Sequence, residues 1–432
     1  MERLSEDLVL KLLQHLPELE CWGRCELVCR SWRDLLRDNR TRIRVVLTQQ
    51  SAGGVDSNAE CLLPSQLMCA LQAAERSSQP ITEISIHCDA VGLTPRFWSD
   101  VEHAAFLRVV TRAACALEVV SVTAPSGFFP PADDALDPAM AALSEAALAD
   151  TSRLRYLDLS WTNAATGEAI GRLLSHCCAS SHGGEITLEA LRLGGCTQLC
   201  SSGVGLMAAM CDGLGAVAPH IRELSLPSCF NPSIDVPASI CPSCVALTSL
   251  DLSQVLFTPA GLRQCLDHPQ LRRGLRRLRM AGHTGLPSRV FAHVLTVCER
   301  LHAIDFSASL IGDDALREAA MHAPGHLSHL RDVRLTECSS ITDDGVAELC
   351  GAAGAALRAL ALGGAFSPLT SAAAVSIGKR CVAPLTQLTM QCCRVGEAGL
   401  AALAPIGAHF EHLDLSNSPS LEPGACTPIV PT

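Results

Sequence analysis

One spacing recurs along most of this 432-residue chain: an apolar residue, a second three places on, and a third two places after that. The pattern is clearest in "LRDVRL", where Leu330, Val333 and Leu335 stand around Asp332 and Arg334. Counting the first apolar residue as offset 0, offsets 0, 3 and 5 are filled again from Leu154, Leu188, Ile221, Leu247, Leu275 and Leu301. They are filled once more from Leu357, Leu385 and Phe410, and two weaker copies begin at Ile81 and Leu117. From Leu247 onward the starts are separated by 28, 26, 29, 27, 28 and 25 residues, and before it by 26–37, so the early units carry insertions. Twelve phased copies define a repeat array, and they limit the fold to architectures in which each unit completes its core against its neighbours.

The segment Leu330 to Gly351 shows what one unit contains. Its first half reads as a short strand. Its second half opens with Thr342-Asp343-Asp344-Gly345 and then places Val346, Leu349 and Cys350 at helical spacing. One strand and one helix bury too little apolar surface to fold alone, whereas a stack of them buries a continuous layer. Helix starts are signalled by "TDDG", by "SSG" before Val204, by "TPAG" before Leu262 and by "GEAG" before Leu400. In each, a Thr, Ser, Asp or Glu oxygen is available to the unpaired N–H groups of the first turn.

Composition agrees with thin, repetitive layers. Hydrophobic residues make up 48% of the chain but aromatics only 3%, so Leu, Ala, Val and Cys must fill the interior. A net charge of −11 disfavours general nucleic-acid binding. The N-terminus, "MERLSEDLVLKLL", is acidic where a signal peptide has a basic start, and no apolar window is long enough for a transmembrane helix. A reducing compartment, cytoplasmic and/or nuclear, is therefore expected, with most of the 23 cysteines acting as small buried hydrophobes. Lysine is confined to Lys11 and Lys379 against 31 arginines, as GC-rich coding would produce.

The units resemble leucine-rich repeats of the cysteine-containing subclass. Cys196, Cys229, Cys338 and Cys393 occupy offset 8, where other leucine-rich repeats have Asn, and Cys211, Cys298, Cys350 and Cys381 fall near helix ends. The resemblance spans residues 81–418. It implies an α/β leucine-rich-repeat solenoid, with a parallel sheet on the concave face and helices on the convex face. Ahead of it, residues 1–47 carry two helical stripes, one through Leu8, Leu12, Leu13 and Leu16 and one through Cys25, Val28, Cys29, Trp32, Leu35 and Leu36. These residues, above all "VCRSWRDL", resemble an F-box, a small all-α module that docks on the Skp-type adaptor of cullin–RING ubiquitin ligases. The resemblance makes Leu4, Leu8, Leu12, Leu16, Val28, Cys29, Trp32 and Leu35 the adaptor-binding residues. The segment is basic in an acidic chain, which favours an acidic partner. A helical cap on the first repeat is the structural alternative. Residues 48–80 read as a linker leading into the array, residues 125–150 as an insertion and residues 419–432 as a tail.

Period-two geometry directs offsets 2 and 4 of each strand away from the core. Tyr156, with Trp161 at offset 7 on the same rim, and Arg192 form one candidate target-binding patch. Arg277 and Arg279 beside Asp251 and Asp305 form a second, with Arg334 further along. Arg and aromatic side chains dominate interface energetics. "CPSC" at Cys241 to Cys244 lacks a second ligand pair, no phosphate-loop signature occurs, and no nucleophile–base set can be nominated. The expectation is therefore a non-catalytic subunit with no metal and no cofactor. The F-box resemblance implies the substrate receptor of an SCF-type ubiquitin ligase, with a Skp-type adaptor, through it a cullin–RING core, and an unidentified protein target as partners. Nucleic acid and membrane are not expected as partners. Leu4-Ser5 stands where the family has Leu-Pro, which keeps open a scaffold role such as that of similar proteins in the dynein regulatory complex of ciliary axonemes.

Overall fold

The computed structural model describes residues 42–47, 80–88, 108–109, 113, 116–123, 153–160, 170–171, 174, 187–196, 217–229, 235, 237–238, 243–381 and 385–419. It divides into two compact units, residues 1–221 and 222–432. In the first unit the strands β1 (Arg42–Leu47), β2 (Glu83–Cys88), β3 (Val119–Thr123), β4 (Tyr156–Asp158) and β5 (Ala190–Arg192) pair in chain order, all parallel. β1 corrects the sequence reading. Residues 42–47 were assigned to the end of the helical module, yet they form a strand paired in register with the Ile81 repeat, Ile43 opposite Ile84.

Among the described residues the second unit carries eight strands: β6 (Glu223–Ser225), β7 (Ser249–Asp251), β8 (Arg277–Arg279), β9 (Ala303–Asp305), β10 (Asp332–Arg334), β11 (Ala359–Gly363), β12 (Gln387–Gln391) and β13 (His412–Asp414). Again each pairs with its neighbour in parallel. Between them run α1 (Pro259–Leu266), α2 (Pro269–Gly274), α3 (Ser288–Val297), α4 (Asp313–His322), α5 (Pro324–Leu327), α6 (Asp343–Ala353), α7 (Ser371–Arg380) and α8 (Glu397–Leu403). Register is kept throughout: offset 2 faces offset 2, offset 3 faces 3, and offset 4 faces 4. Leu250, Leu278, Ile304, Val333 and Leu360 thus form a continuous buried column. The offset-5 residues Leu252, Met280, Phe306, Leu335 and Leu362 form a second. The helices close the layer by burying one face each, Val290, Phe291, Val294 and Leu295 in α3 and Val346, Leu349 and Cys350 in α6. Burial fades at the last described unit, where Phe410 and Leu413 are half-buried.

After each strand from β5 to β13 the chain turns at offset 7. Ser228, Gln254, Ala308, Glu337, Cys392 and Asn417 all have φ between 51° and 59°, and Gly195, Gly282 and Gly364 hold the same place with positive φ. Side chains rarely adopt this region without support. The support from β6 to β12 is a backbone ladder in which the offset-7 N–H donates to the offset-6 carbonyl of the next unit, as from Gln254 to Ala281 and from Ala308 to Thr336, both at 2.8 Å. The turn therefore repeats because the ladder repeats, whatever residue occupies it.

The helix starts are stitched across units. Thr258, Thr342 and Thr370 cap their own helices, accepting from the N–H groups of Gly261, Asp344 and Ala372. Each threonine in turn donates its N–H and hydroxyl to an Asp of the preceding unit: Thr258 to Asp235, Thr342 to Asp313 and Thr370 to Asp343. Gly261 and Gly345 make room for this carboxylate, since a Cβ on either would lie 2.1 Å from the Asp Oδ1. "GEAG" behaves differently from its expected cap: Gly396 is the N-cap without a side-chain bond, and its N–H donates to Ser371 Oγ at 2.9 Å. "SSG" before Val204 lies outside the described residues.

At Cys196, His283 and Cys338 the offset-8 side chain points inward and holds the turn to the preceding unit. The Cys196 thiol donates to the Leu159 carbonyl at 3.1 Å and that of Cys338 to the Phe306 carbonyl at 3.2 Å. His283 does the same work with Nε2 2.8 Å from the Leu252 carbonyl, which can only accept, so Nε2 carries the proton. Burial holds the His283 pKa below its ordinary value of 6.5, against the opposing pull of that hydrogen bond. The unfolded chain therefore takes up a proton as pH falls through about 6.5 while the folded chain does not, until pH drops below the folded value. Stability should decline between pH 7 and 5, and His283→Asn, which keeps a donor without a titrating ring, should flatten that decline. Urea midpoints at the two pH values check this; an equal decline in both proteins refutes it.

Candidate protein-docking face

The strand residues that do not enter the core form the surface on which a partner can be read. At β8 the alternation is complete: Arg277 and Arg279 are exposed while Leu278 between them is buried. The register then lines up the offset-4 side chains of β7 to β10 as Asp251, Arg279, Asp305 and Arg334, one residue per strand and alternating in sign. Arg279 Nη1 lies 3.8 Å from Asp251 Oδ2. Beside this row Arg277 Nη2 reaches Glu223 Oε2 at 3.9 Å, and Arg334 Nε reaches Asp332 Oδ1 at 3.6 Å. The arginines are more than half exposed in all three pairs. Such pairs add little to stability, so their charges remain available to a partner. The structure thus places Arg277 and Arg279 beside Asp251 and Asp305 on adjacent strands, with Arg334 one strand beyond Asp305.

The acids are aimed by their own turns. Asp251, Asp305 and Asp414 each accept the N–H two residues on, from Ser253, Ser307 and Ser416, at 2.9–3.1 Å. In Asp251 this fixes Oδ1 and leaves Oδ2 toward Arg279. At Asp414 the Ser416 N–H and the Gln391 amide together hold the carboxyl below the usual carboxylate range. The recurring Asp-Leu-Ser or Asp-Phe-Ser triplet at offsets 4 to 6 was the sequence signal for this device.

The first patch is more tightly built than sequence indicated. Tyr156 Oη donates to Asp158 Oδ2 at 3.1 Å, the Arg192 guanidinium lies 5.2 Å from the Tyr156 ring centroid, and its Nη1 is 3.8 Å from the same carboxylate oxygen. Asp158 and Ala190, expected on the open face, are both buried; Asp158 also accepts the Ser160 N–H at 3.0 Å. Tyr156 and Arg192 are therefore half-buried and joined through Asp158. Trp161 lies outside the described residues, as do all eight proposed adaptor-binding positions.

Sequence reasoning missed one further set. Leu256, Leu310 and Phe366, each at offset 9, are three of the four exposed large hydrophobic side chains among the described residues. Their shared offset was the available signal.

The buried thiols read as packing groups. Burial pushes the Cys298 thiol up to about 12, and raises Cys338 and Cys393 as well, so at neutral pH they are not nucleophiles. Among the described residues no cluster of three or more His, Cys, Asp or Glu is placed to hold a metal ion, and no helix is long and apolar enough to cross a membrane.

The F-box domain family matches residues 1–44, and the leucine-rich-repeat family matches residues 326–350. The chain thus carries an F-box domain match at its N-terminal end and a leucine-rich-repeat match within the array. No curated protein matches the sequence. Among solved structures, a chain of the yeast Rad7–Elc1 complex superimposes with a TM-score of 0.51 at 14% identity, over 80% of this chain and 78% of that one. An internalin, InlF of Listeria monocytogenes, covers 98% of this chain and 92% of its own at 12% identity, with a TM-score of 0.43.

Proposed function

We propose that this chain is the substrate-recognition subunit of an SCF-type ubiquitin ligase. The observation that carries the reading is the F-box match at residues 1–44 directly ahead of a repeat array with a charged, open strand face. The F-box docks on a Skp-type adaptor and through it on a cullin–RING core. The strand face holds a target protein. The subunit performs no bond chemistry itself; it raises the effective concentration of a target lysine near a ubiquitin-charged enzyme. The Rad7–Elc1 complex offers a precedent for a chain of similar fold bound to a second protein.

The test is a pull-down of purified Skp-type adaptor on the full chain and on a Val28→Ala/Trp32→Ala variant. Stoichiometric adaptor on the intact chain, lost at least tenfold in the variant with the array's unfolding unchanged, supports the proposal. Adaptor recovery indifferent to the double change refutes the F-box assignment of those residues. Loss of the array's cooperative unfolding in the variant makes the helices a cap instead. Recovery of axonemal partners without adaptor favours the scaffold reading that Leu4-Ser5 keeps open.

A further inference from the structure

We propose that the strand-end rim of the second unit docks an amphipathic helix of the partner protein, laid across the strands. The inference deepens the target-binding reading above, and its measurement does not involve the adaptor.

The first observation is a period. Leu256, Leu310 and Phe366 are 54%, 45% and 83% exposed, and they belong to the units of β7, β9 and β11, every second strand. Thr284 and Ser339 fill the same offset in the units between. Two strand spacings amount to about 9.6 Å. Seven helical residues rise about 10.5 Å, so apolar side chains repeating every seventh position on a helix meet the three rim residues in turn.

The second observation is the row of charge. Asp251, Arg279, Asp305 and Arg334 lie one per strand, at the C-terminal ends of the strands that lead into this rim. A strand spacing of about 4.8 Å is close to one helical turn of about 5.4 Å. A helix resting on the rim therefore presents one flanking residue per turn to one charge per strand. The mismatch over the row, about 1.8 Å, is within the reach of long arginine side chains. The complementary flank alternates basic, acidic, basic, acidic. An extended peptide lying the same way repeats its facing side chains about every 6.7 Å and falls out of step with the row.

The third observation is that the exposure is built into the fold. Phe366 follows Gly363 and Gly364, whose φ values are +94° and +124°, and the preceding Ala365 N–H is gripped by both oxygens of Glu337 at 3.2 and 3.1 Å. Leu310 follows Ser309, whose hydroxyl is tied to the Phe306 carbonyl at 2.5 Å, and Leu256 follows the buried Val255. The rim residues are held out by anchored neighbours.

The probe is a synthetic 25-residue helical peptide with leucine at every seventh position and alternating Arg and Glu, one per turn, on one flank. Its binding to the full-length chain is followed by fluorescence anisotropy. Saturable binding of the alternating peptide is expected. At least tenfold weaker binding is expected from a version with a central proline and from versions whose flank is all Glu or all Arg. Leu310→Ser/Phe366→Ser and, separately, Arg279→Glu should each weaken the alternating peptide at least tenfold while leaving the chain's urea midpoint in place. Absence of binding, equal binding of the proline peptide, or a change within twofold in the variants overturns the proposal. Adaptor recovery is scored separately, so loss of the ligase reading and loss of this one are distinguishable.

Discussion

Replacing Phe306 by Ala should destabilise the second unit by about 3–5 kcal/mol, the range for truncating a fully buried aromatic core residue. Phe306 is fully buried at offset 5 of its unit, and its ring lies 5.1 Å from that of Phe291 on α3 in a tilted arrangement. Its carbonyl also receives the Ser309 hydroxyl and the Cys338 thiol, so the turn on either side is referenced to this residue. The lesion should be local in character. In a stack of units stability is nearest-neighbour, and the units beginning at Leu275, Leu301 and Leu330 lose their mutual cover while distant ones do not. Urea unfolding should therefore split into two transitions, and limited proteolysis should cut first between about residues 280 and 340, the units in contact with the cavity. A single transition with an unmoved midpoint would show that the core does not pass through this pair of rings.

Two adjacent acids at the start of α6 should give opposite results. The Asp343 carboxylate accepts from the Thr370 N–H at 2.8 Å, the Thr370 hydroxyl at 2.5 Å and the Ala373 N–H at 3.1 Å, all in the next unit. Asp343→Ala leaves these partly buried donors without their acceptor and should cost about 2–3 kcal/mol. Asp344 contributes its backbone N–H to the Thr342 cap but has no comparable side-chain role. Asp344→Ala should change stability by no more than about 0.5 kcal/mol, the size of a helix-dipole effect at an exposed site. Denaturant midpoints for the two variants make the comparison, and equal losses would mean that only the dipole matters there.

The extent to which this fold is legible from sequence follows from the range of the forces involved. Offsets 0, 3 and 5 are visible because burial acts on residue type at every unit, and the caps at Thr258 and Thr342 are visible because they are local. The Asp-to-Thr stitches are hidden because donor and acceptor are 23–29 residues apart and belong to different units. The left-handed turn is hidden because a cross-strand ladder imposes it on Ser228, Gln254, Ala308 and Glu337, residues with no common chemistry. β1 was missed because its segment follows directly on the helical stripes and lacks an apolar residue at offset 0. On the docking face, the arginines and aspartates of β7 to β10 were found because side-chain alternation on a strand is strictly periodic. Asp158 was misplaced because period two gives direction but not depth, and the surroundings of Tyr156 and Arg192 cover it.

Each unit also has a rigid part and an adjustable part. From offset 0 to offset 7 the copies from β6 to β12 have one length, since the offset-7 ladder admits no extra residue. In the described units from β7 to β12 variation begins after the turn: the helix N-cap falls at offset 11 in Thr258, Gly312 and Gly396, at offset 12 in Pro287 and Thr342, and at offset 13 in Thr370. Insertions beyond the turn can therefore lengthen a unit without shifting the side chains of the strand face, and that face can change by point substitution while the dimensions of the outer layer drift independently.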